Sequence, residues 1–269
     1  MNKKVFLELA ENPNFISSIY NYCDRWCKRC PFTSRCLNYA MRKRDFADPE
    51  TRDVNNEAFW QKLGESFQLA LELLQDIAEK EGLDLDDIAA DEAQEWEAER
   101  KRLDESARNQ ECTRAGKAYV KIADQWFYSA KNLFEEKGHE LAMKVRLAVG
   151  DPIEEVASME EAVEVIRWYQ HQIWVKLMRA VRGQSQEKKD LELWQDFPKD
   201  SDGSAKVALV GIDRSLAAWA EMHKHFPEKQ DHTLTILAHL DRLRHNTEQA
   251  FPHARAFVRP GFDTIELYM

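Results

Sequence analysis

Four cysteines lie within fourteen residues near the start of the chain and limit how this stretch can fold. They are Cys23, Cys27, Cys30 and Cys36, in the spacing C-x3-C-x2-C-x5-C. Four thiolates complete the coordination of one tetrahedral zinc ion or of one iron–sulfur cluster. The array therefore predicts a sulfur-ligated metal site, and the backbone has to bring all four side chains together.

The rest of the chain favours an α-helical fold. Of its 269 residues 43% are hydrophobic, which is enough for a buried core, and only nine are Gly and eight Pro. The abundant Ala, Leu, Glu, Lys and Arg lose least on entering a helix. We predict an all-α protein, a multi-helix bundle with an N-terminal four-cysteine metal module of the helix-loop-helix kind.

Neither a membrane segment nor a secretory signal is expected. No apolar run approaches the roughly 20 residues that span a bilayer, and Glu8 interrupts the only short apolar stretch at the start. The sequence thus predicts a cytoplasmic protein. Thiols stay reduced in that compartment, which favours a metal over disulfides for the cysteine array.

Charge is unevenly distributed along the chain, whose net charge is -10. An acidic segment, 84–111, predicts a solvated helix or arm, or alternatively an interaction surface. A basic rim surrounds the cysteines within 25–44, formed by Arg25, Lys28, Arg29, Arg35, Arg42, Lys43 and Arg44. The rim either balances the residual negative charge of metal-bound thiolates or docks an acidic protein partner; nucleic acid is a less favoured partner.

Periodicity and helix breakers predict three sections. Residues 1–48 form a helical hairpin whose first helix, about 15–30, carries three cysteines and stops at Pro31, and whose second helix starts at Cys36. Residues 49–150 hold long helices and the acidic segment. Residues 151–269 hold a helical bundle and an irregular tail, packed with the preceding section as one domain. Helices are predicted at 53–81, 113–149 with a break at Gly138, 158–182 before a loop through Gly183, 203–226 and 231–250.

Helical spacing of the cysteines leans towards a [4Fe-4S] cluster, with zinc as the alternative. Side chains at i, i+4 and i+7 lie about 5 to 6 Å apart at Cβ, which is wide for four sulfurs around one zinc ion. A cube-shaped cluster has more widely set corners.

A local resemblance points the same way. Residues 27–36, CKRCPFTSRC, resemble the closing C-x2-C-P-apolar-x3-C half of the [4Fe-4S] loop in DNA glycosylases of the endonuclease III type, and the C-x2-C-x5-C half-site of iron–sulfur nucleases. The resemblance covers ten residues and implies only that Cys27, Cys30 and Cys36 are ligands. Three residues rather than six separate Cys23 from Cys27, so the first ligand departs from the glycosylase pattern.

A second likeness concerns the triad Cys23-x3-Cys27-x2-Cys30, which matches the cluster motif of radical S-adenosylmethionine enzymes. That triad leaves one iron open, whereas Cys36 is placed to fill it here. A helical chain also lacks the alternating strands and helices of a barrel. Both features argue against this class.

Other candidate residues lie in the later helices. Glu136-x-x-His139 has the spacing of di-iron helical bundles, and Glu164 shares a helix face with His171. Asp213 stands in an apolar helix and requires a cationic or hydrogen-bonding partner, or else acts as a pocket acid. A charged helical chain with eight histidines also produces such pairs by chance, and chance spacing is the favoured interpretation. The fifth cysteine, Cys112, is isolated and is predicted to be an ordinary thiol.

Three functional hypotheses follow from these patterns. In the first, the metal is a structural staple of a binding or scaffold protein, because four cysteine ligands leave no coordination position for a substrate. In the second, the chain is an electron-transfer or redox-sensing protein whose basic rim docks its partner. In the third, it is a metal-dependent enzyme that uses the carboxylates and histidines of the later helices.

Overall fold

The chain is mainly α-helical over the residues that the computed structural model describes, which are 3–84, 90–189 and 199–263. Those ranges contain no β-strand, and this confirms the all-α prediction. Within them no helix is both long and apolar enough to cross a membrane. The α-helices are α1 Lys3–Ala10, α2 Leu37–Asp45, α3 Glu57–Glu81, α4 Ala90–Asn109, α5 Glu111–Ser129, α6 Lys131–Leu147, α7 Pro152–Lys189, α8 Asp200–His225 and α9 Gln230–Ala250.

The helices belong to two compact units. Unit 1 comprises Met1–Arg100 and Val258–Met269, and unit 2 comprises Lys101–Phe257. The sections predicted at 1–48, 49–150 and 151–269 have other boundaries, because α5 and α6 pack against α7. The acidic segment lies partly in α4, whose described side chains are mostly exposed, and partly at 85–89, outside the described residues.

The predicted first helix of the N-terminal hairpin is wrong. Between α1 and α2 the chain forms turns and two short 3₁₀ helices, Ile19–Asn21 and Thr33–Arg35. Ser18 and Arg25 adopt left-handed backbone conformations, with φ of 60° and 57°, which interrupt any helix. The Asp24 carboxylate also accepts a hydrogen bond from the Trp26 N–H at 3.1 Å, and this local turn competes with helical bonding. The second helix of the hairpin is present as α2, directly after Cys36.

Helix α3 ends where the sequence predicts but begins at Glu57 rather than at residue 53, and both of its ends carry specific signals. The Asn56 side chain accepts a hydrogen bond from the Ala58 N–H at 3.0 Å and caps the first turn. Gly82 ends the helix in the left-handed conformation at φ 67°. Along the helix Leu69 and Ala78 are buried. Five large apolar side chains are exposed: Trp60, Phe67, Leu71, Leu74 and Ile77.

Unit 2 is built around α7 and α8, against which α5 and α9 pack. The predicted loop through Gly183 is wrong, since α7 continues to Lys189. The buried carboxylate of Glu187, one turn beyond Gly183, accepts hydrogen bonds from the Ser201 N–H at 2.9 Å and the Ser201 hydroxyl at 2.6 Å. These bonds fix the end of α7 to the first turn of α8, which gives the helical continuation a structural role.

The break predicted at Gly138 falls instead at Ala130, between α5 and α6. Ala130 is fully buried, and its N–H donates to the carbonyl of Trp126 at 2.9 Å. Around this corner Phe134 packs its ring against Trp126 at 6.1 Å and Phe226 at 4.8 Å between centroids. Aromatic packing therefore decides where the chain turns, and Gly138 is an exposed residue within α6.

Replacement of two glycines of unit 2 by alanine should change the unfolding free energy in opposite directions. A Cβ at Gly211 of α8 would lie 2.9 Å from Cδ1 of Tyr169 and 3.1 Å from Cγ1 of Ile173 on α7, whereas one at Gly138 would meet no described atom within 4 Å. We expect Gly211→Ala to destabilise the protein by about 1–3 kcal/mol through overpacking. Gly138→Ala should stabilise it by up to about 1 kcal/mol through helix propensity. Urea unfolding measures both, and equal effects of the two variants would contradict the packing of α7 on α8.

Candidate metal centre

All four cysteines of the array line one cavity in unit 1. About 310 Å³ of empty space, continuous with solvent, lies between the lining side chains, and about 20 Å³ of it admits the centre of a water molecule. The other lining residues are Ile19, Tyr20, Asp24, Arg25, Trp26, Thr33, Tyr39 and Phe262. The sequence predicted that the cysteines converge, and the turns between α1 and α2 bring them to this one place.

Successive tight turns aim the first three cysteines at the cavity. The left-handed residue Arg25 reverses the chain between Cys23 and Cys27, and the Cys27 N–H donates to the carbonyl of Arg25 at 2.9 Å. The Cys30 N–H then donates to the carbonyl of Cys27 at 3.4 Å. Trp26, which lies between Arg25 and Cys27, is only 3% exposed and anchors this loop in the core of unit 1. The three thiols that these turns connect all line the same cavity.

The fourth cysteine is positioned by α2. Cys36 is extended, with φ −117° and ψ 112°, and its carbonyl accepts the first helical hydrogen bond from the Ala40 N–H at 3.0 Å. The preceding residue, Arg35, is tied to the start of the loop. Its carbonyl accepts from the Ile16 N–H at 3.0 Å, and its Nε donates to the Asn14 carbonyl at 3.3 Å. These bonds hold the two ends of the cysteine loop together.

The C-terminal part of unit 1 completes the cavity. Phe262 lines it and packs edge-to-face on Phe32, with ring centroids 5.1 Å apart. Gly261 is left-handed at φ 76°, and a Cβ there would lie 3.0 Å from methyl carbons of Ile16 and Ile19. Sequence reasoning missed this contribution because Phe262 lies more than 200 positions after the cysteines. The only local sign of this contribution is the dipeptide Pro260-Gly261, which predicts a turn directly before Phe262.

Burial and neighbouring charged groups shift the pKa values of two of the thiols. Burial raises the pKa of Cys27, and the nearby Cys23 and Cys36 raise this pKa further, while Arg42 and Arg25 lower it. Burial also raises the pKa of Cys30, where the backbone N–H of Phe32 acts in the opposite direction and Cys23 and Cys27 add to the rise. Negative charge on these sulfurs is thus mutually unfavourable, and a bound cation would relieve it.

The thiols are not arranged as the ligands of a single ion. Over residues 3–84, 90–189 and 199–263, no group of three or more His, Cys, Asp or Glu side chains has the spacing to hold a metal ion. The Cys23 thiol instead donates to the carbonyl of Tyr20 at 3.6 Å. The donor chemistry and the shared cavity suit a sulfur-ligated group, whereas ligand geometry for one ion is not formed.

The candidate residues of the later helices lie elsewhere. Glu136 and His139 are exposed on α6, and Glu164 and His171 are exposed on α7, where the His171 ring contacts the side chain of Gln170. They belong to no metal-binding group among the described residues.

The surroundings of Asp213 and Cys112 suit structural roles: Asp213 is paired with an arginine, and Cys112 is buried. The Asp213 carboxylate receives two hydrogen bonds from the Arg255 guanidinium, at 2.5 and 3.2 Å, so it has the cationic partner that the sequence required. Arg214, its neighbour in sequence, bonds the Tyr169 hydroxyl instead. Cys112 is buried at the start of α5 in unit 2, and burial raises its pKa.

Comparisons of the chain with protein-family models, with curated proteins and with solved structures gave no match.

Proposed function

We propose that Cys23, Cys27, Cys30 and Cys36 together bind one [4Fe-4S] cluster that serves as a structural staple of unit 1. The supporting observation is that all four thiols line one cavity although they come from separate turns. Residues 11–36 contain no regular element longer than a short 3₁₀ helix. A segment of this kind buries little backbone in regular hydrogen bonding, and a four-way cross-link would restrict its freedom.

The choice of a cluster over zinc rests on the resemblance of residues 27–36 to iron–sulfur loops. The separate argument from helical spacing no longer applies, because the first three cysteines occupy turns rather than a helix. Zinc in the same four-thiolate cage is the alternative, and its structural role would be the same.

Four cysteine ligands give the site a closed coordination shell and hence no position for a substrate. When bound, the cluster would supply a covalent cross-link and a redox-active centre. The chain's own residues shape the cavity and balance charge: the rings of Trp26 and Phe262 line it, and Arg42 and Arg25 oppose the thiolate charge. The rest of the protein then acts as a helical binding or scaffold protein.

Removing the metal tests the staple directly. We expect oxidation of the cluster in the presence of a chelator to increase amide hydrogen exchange over residues 11–45 by at least about tenfold, because local opening there is no longer restrained. Exchange in the buried parts of α7 and α8 should change little. Unchanged exchange around the cysteines after complete metal loss would contradict a structural role.

Electron transfer is a second candidate, favoured by the exposed cations of the basic rim. Arg25, Lys28, Arg29 and Arg42 are exposed next to the cysteine cavity, and two of them lower the pKa of Cys27. Such cations would stabilise the more negative, reduced form of a cluster and attract an acidic protein. Reversible reduction at a potential within the range of biological donors would favour this function, and irreversible loss of the cluster on reduction would favour the staple.

A further inference from the structure

A wide basic groove runs along one side of α5 in unit 2. Its volume is about 890 Å³, and its charged lining consists of Arg108 at the end of α4, with Arg114, Lys117, Lys121 and Glu111 on α5. Four cations and one carboxylate give the groove a charge of +3 in a chain whose net charge is -10. The Glu111 carboxylate is in part engaged already, since it accepts a hydrogen bond from Asn246 at 2.8 Å.

The cations of the groove have no acidic partner among the described residues, in contrast to three arginines elsewhere in unit 2. Within the described part of the chain, Arg108, Arg114, Lys117 and Lys121 form no ion pair, and all four are exposed. Other arginines of the same unit are paired: Arg167 with Asp124, Arg179 with Asp200, and Arg182 with Asp104. Apart from the contact of Lys117 with the Trp174 ring, these cations make no charge-balancing contact within the described residues.

Close packing of α5 on α7 places an aromatic ring in this groove. Gly116 is buried at the contact, where an added Cβ would lie 3.0 Å from Cδ1 of Leu177 and 3.5 Å from Cα of Trp174. This approach leaves the half-buried Trp174 ring lining the groove, with Lys117 Nζ 5.8 Å from its centroid. Ala115 and Ala118 form a low floor between the longer basic side chains.

We propose that the basic groove binds single-stranded nucleic acid. The cations at 114, 117 and 121 follow one face of α5 over about 10 Å, a length that suits a chain of phosphates rather than one isolated anion. The Trp174 ring adds a face on which a base can stack, a contact that an acidic peptide would not use. The volume also exceeds what one phosphate group fills. This inference does not depend on the metal centre of unit 1.

The test compares three anionic probes by fluorescence anisotropy. They are a labelled oligothymidylate of about 12 nucleotides, labelled inorganic polyphosphate of similar charge, and labelled polyglutamate. If all four cations contact phosphates, the affinity for the oligonucleotide should fall by about 50-fold between about 50 and 200 mM salt, a log–log slope near about −2.8. Polyglutamate should bind more weakly than the oligonucleotide at every salt concentration.

Two variants separate the contributions of charge and stacking. Arg114→Gln with Lys121→Gln should reduce the salt slope to about −1.4, because two phosphate contacts are lost. Trp174→Leu should weaken oligonucleotide binding by about tenfold and leave polyphosphate binding unchanged. The matched control is Lys131→Gln with Arg146→Gln, two exposed cations of α6 with the same loss of charge, and it should bind as the wild type does.

Circular dichroism melting establishes that each variant is folded, and the non-aromatic Trp174→Met replaces the leucine variant if Trp174→Leu unfolds. The proposal is overturned if the oligonucleotide does not bind, or if the control variant weakens binding as much as the groove variant. If Trp174→Leu weakened binding of the oligonucleotide and of polyphosphate equally, the groove would bind anions without base stacking. Tighter binding of polyglutamate than of the oligonucleotide would assign the groove to an acidic protein. Either result overturns the nucleic-acid assignment.

Discussion

Cys27→Ala and Cys30→Ala should each abolish metal binding and destabilise unit 1, the largest effect that we expect from any single substitution. The apparent binding free energy of structural zinc sites, a guide to what a metal staple contributes, is on the order of 10 kcal/mol at neutral pH. Both thiols line the central cavity, and the pKa of each depends on its neighbouring cysteines. Loss of one ligand therefore opens a site that the remaining three cannot close. Metal content per chain and amide exchange over residues 11–45 measure the effect.

Cys112→Ala is the matched control for these two variants. Cys112 is buried at the start of α5, in the other unit, and it does not line the cavity. We expect it to keep full metal content and to lose only about 1 kcal/mol of stability, from a small cavity. Full metal retention in Cys27→Ala or Cys30→Ala would show that those thiols are not ligands. Metal loss in Cys112→Ala would show that the cysteine array is not the whole site.

Trp219→Ala should cost unit 2 about 3–5 kcal/mol, the second largest expected effect. The Trp219 side chain is fully buried, and its ring packs edge-to-face on Trp126 with centroids 5.1 Å apart. Its Nε1–H donates to the Tyr119 hydroxyl at 2.9 Å. Burial raises the pKa of Tyr119 to about 12, so this hydroxyl stays neutral and would lose a partner inside the core. Urea unfolding followed by circular dichroism gives the change in unfolding free energy.

Trp96→Ala provides the comparison, because Trp96 on α4 is 58% exposed. Its removal should change the unfolding free energy by no more than about 0.5 kcal/mol. If Trp219→Ala cost as little as Trp96→Ala, the aromatic core joining α5 to α8 would be assigned wrongly.

Helices with specific end signals could be predicted from the sequence, whereas the cysteine loop could not. Asn56 and Gly82 bound α3 through local hydrogen bonding and backbone conformation, and both are visible in the sequence. The loop depends on left-handed backbone conformations at Ser18 and Arg25. Serine and arginine rarely adopt this conformation, so the sequence gives no sign of it. Apolar residues at helical spacing before Cys23 favoured a helix there, although tertiary contacts such as Ile16 with Arg35 decide the fold.

The candidate site was predictable in its chemistry and not in its surroundings. The cysteine spacing indicates the candidate ligand atoms, but only the fold brings Phe262 to the cavity. The basic groove shows the same division. The spacing of Arg114, Lys117 and Lys121 on one face of α5 can be read from the sequence, and the contribution of Trp174 depends on how closely Gly116 lets α5 approach α7.

The most direct test of the metal centre is an analysis of iron, zinc and acid-labile sulfide on anaerobically purified protein, with an absorption spectrum of the same sample. We predict about four irons and about four sulfides per chain, with a broad absorption band at about 400 nm. One zinc per chain in a colourless sample would show that the four-cysteine staple holds zinc instead of a cluster. A folded protein that contains neither iron nor zinc would contradict the metal centre itself.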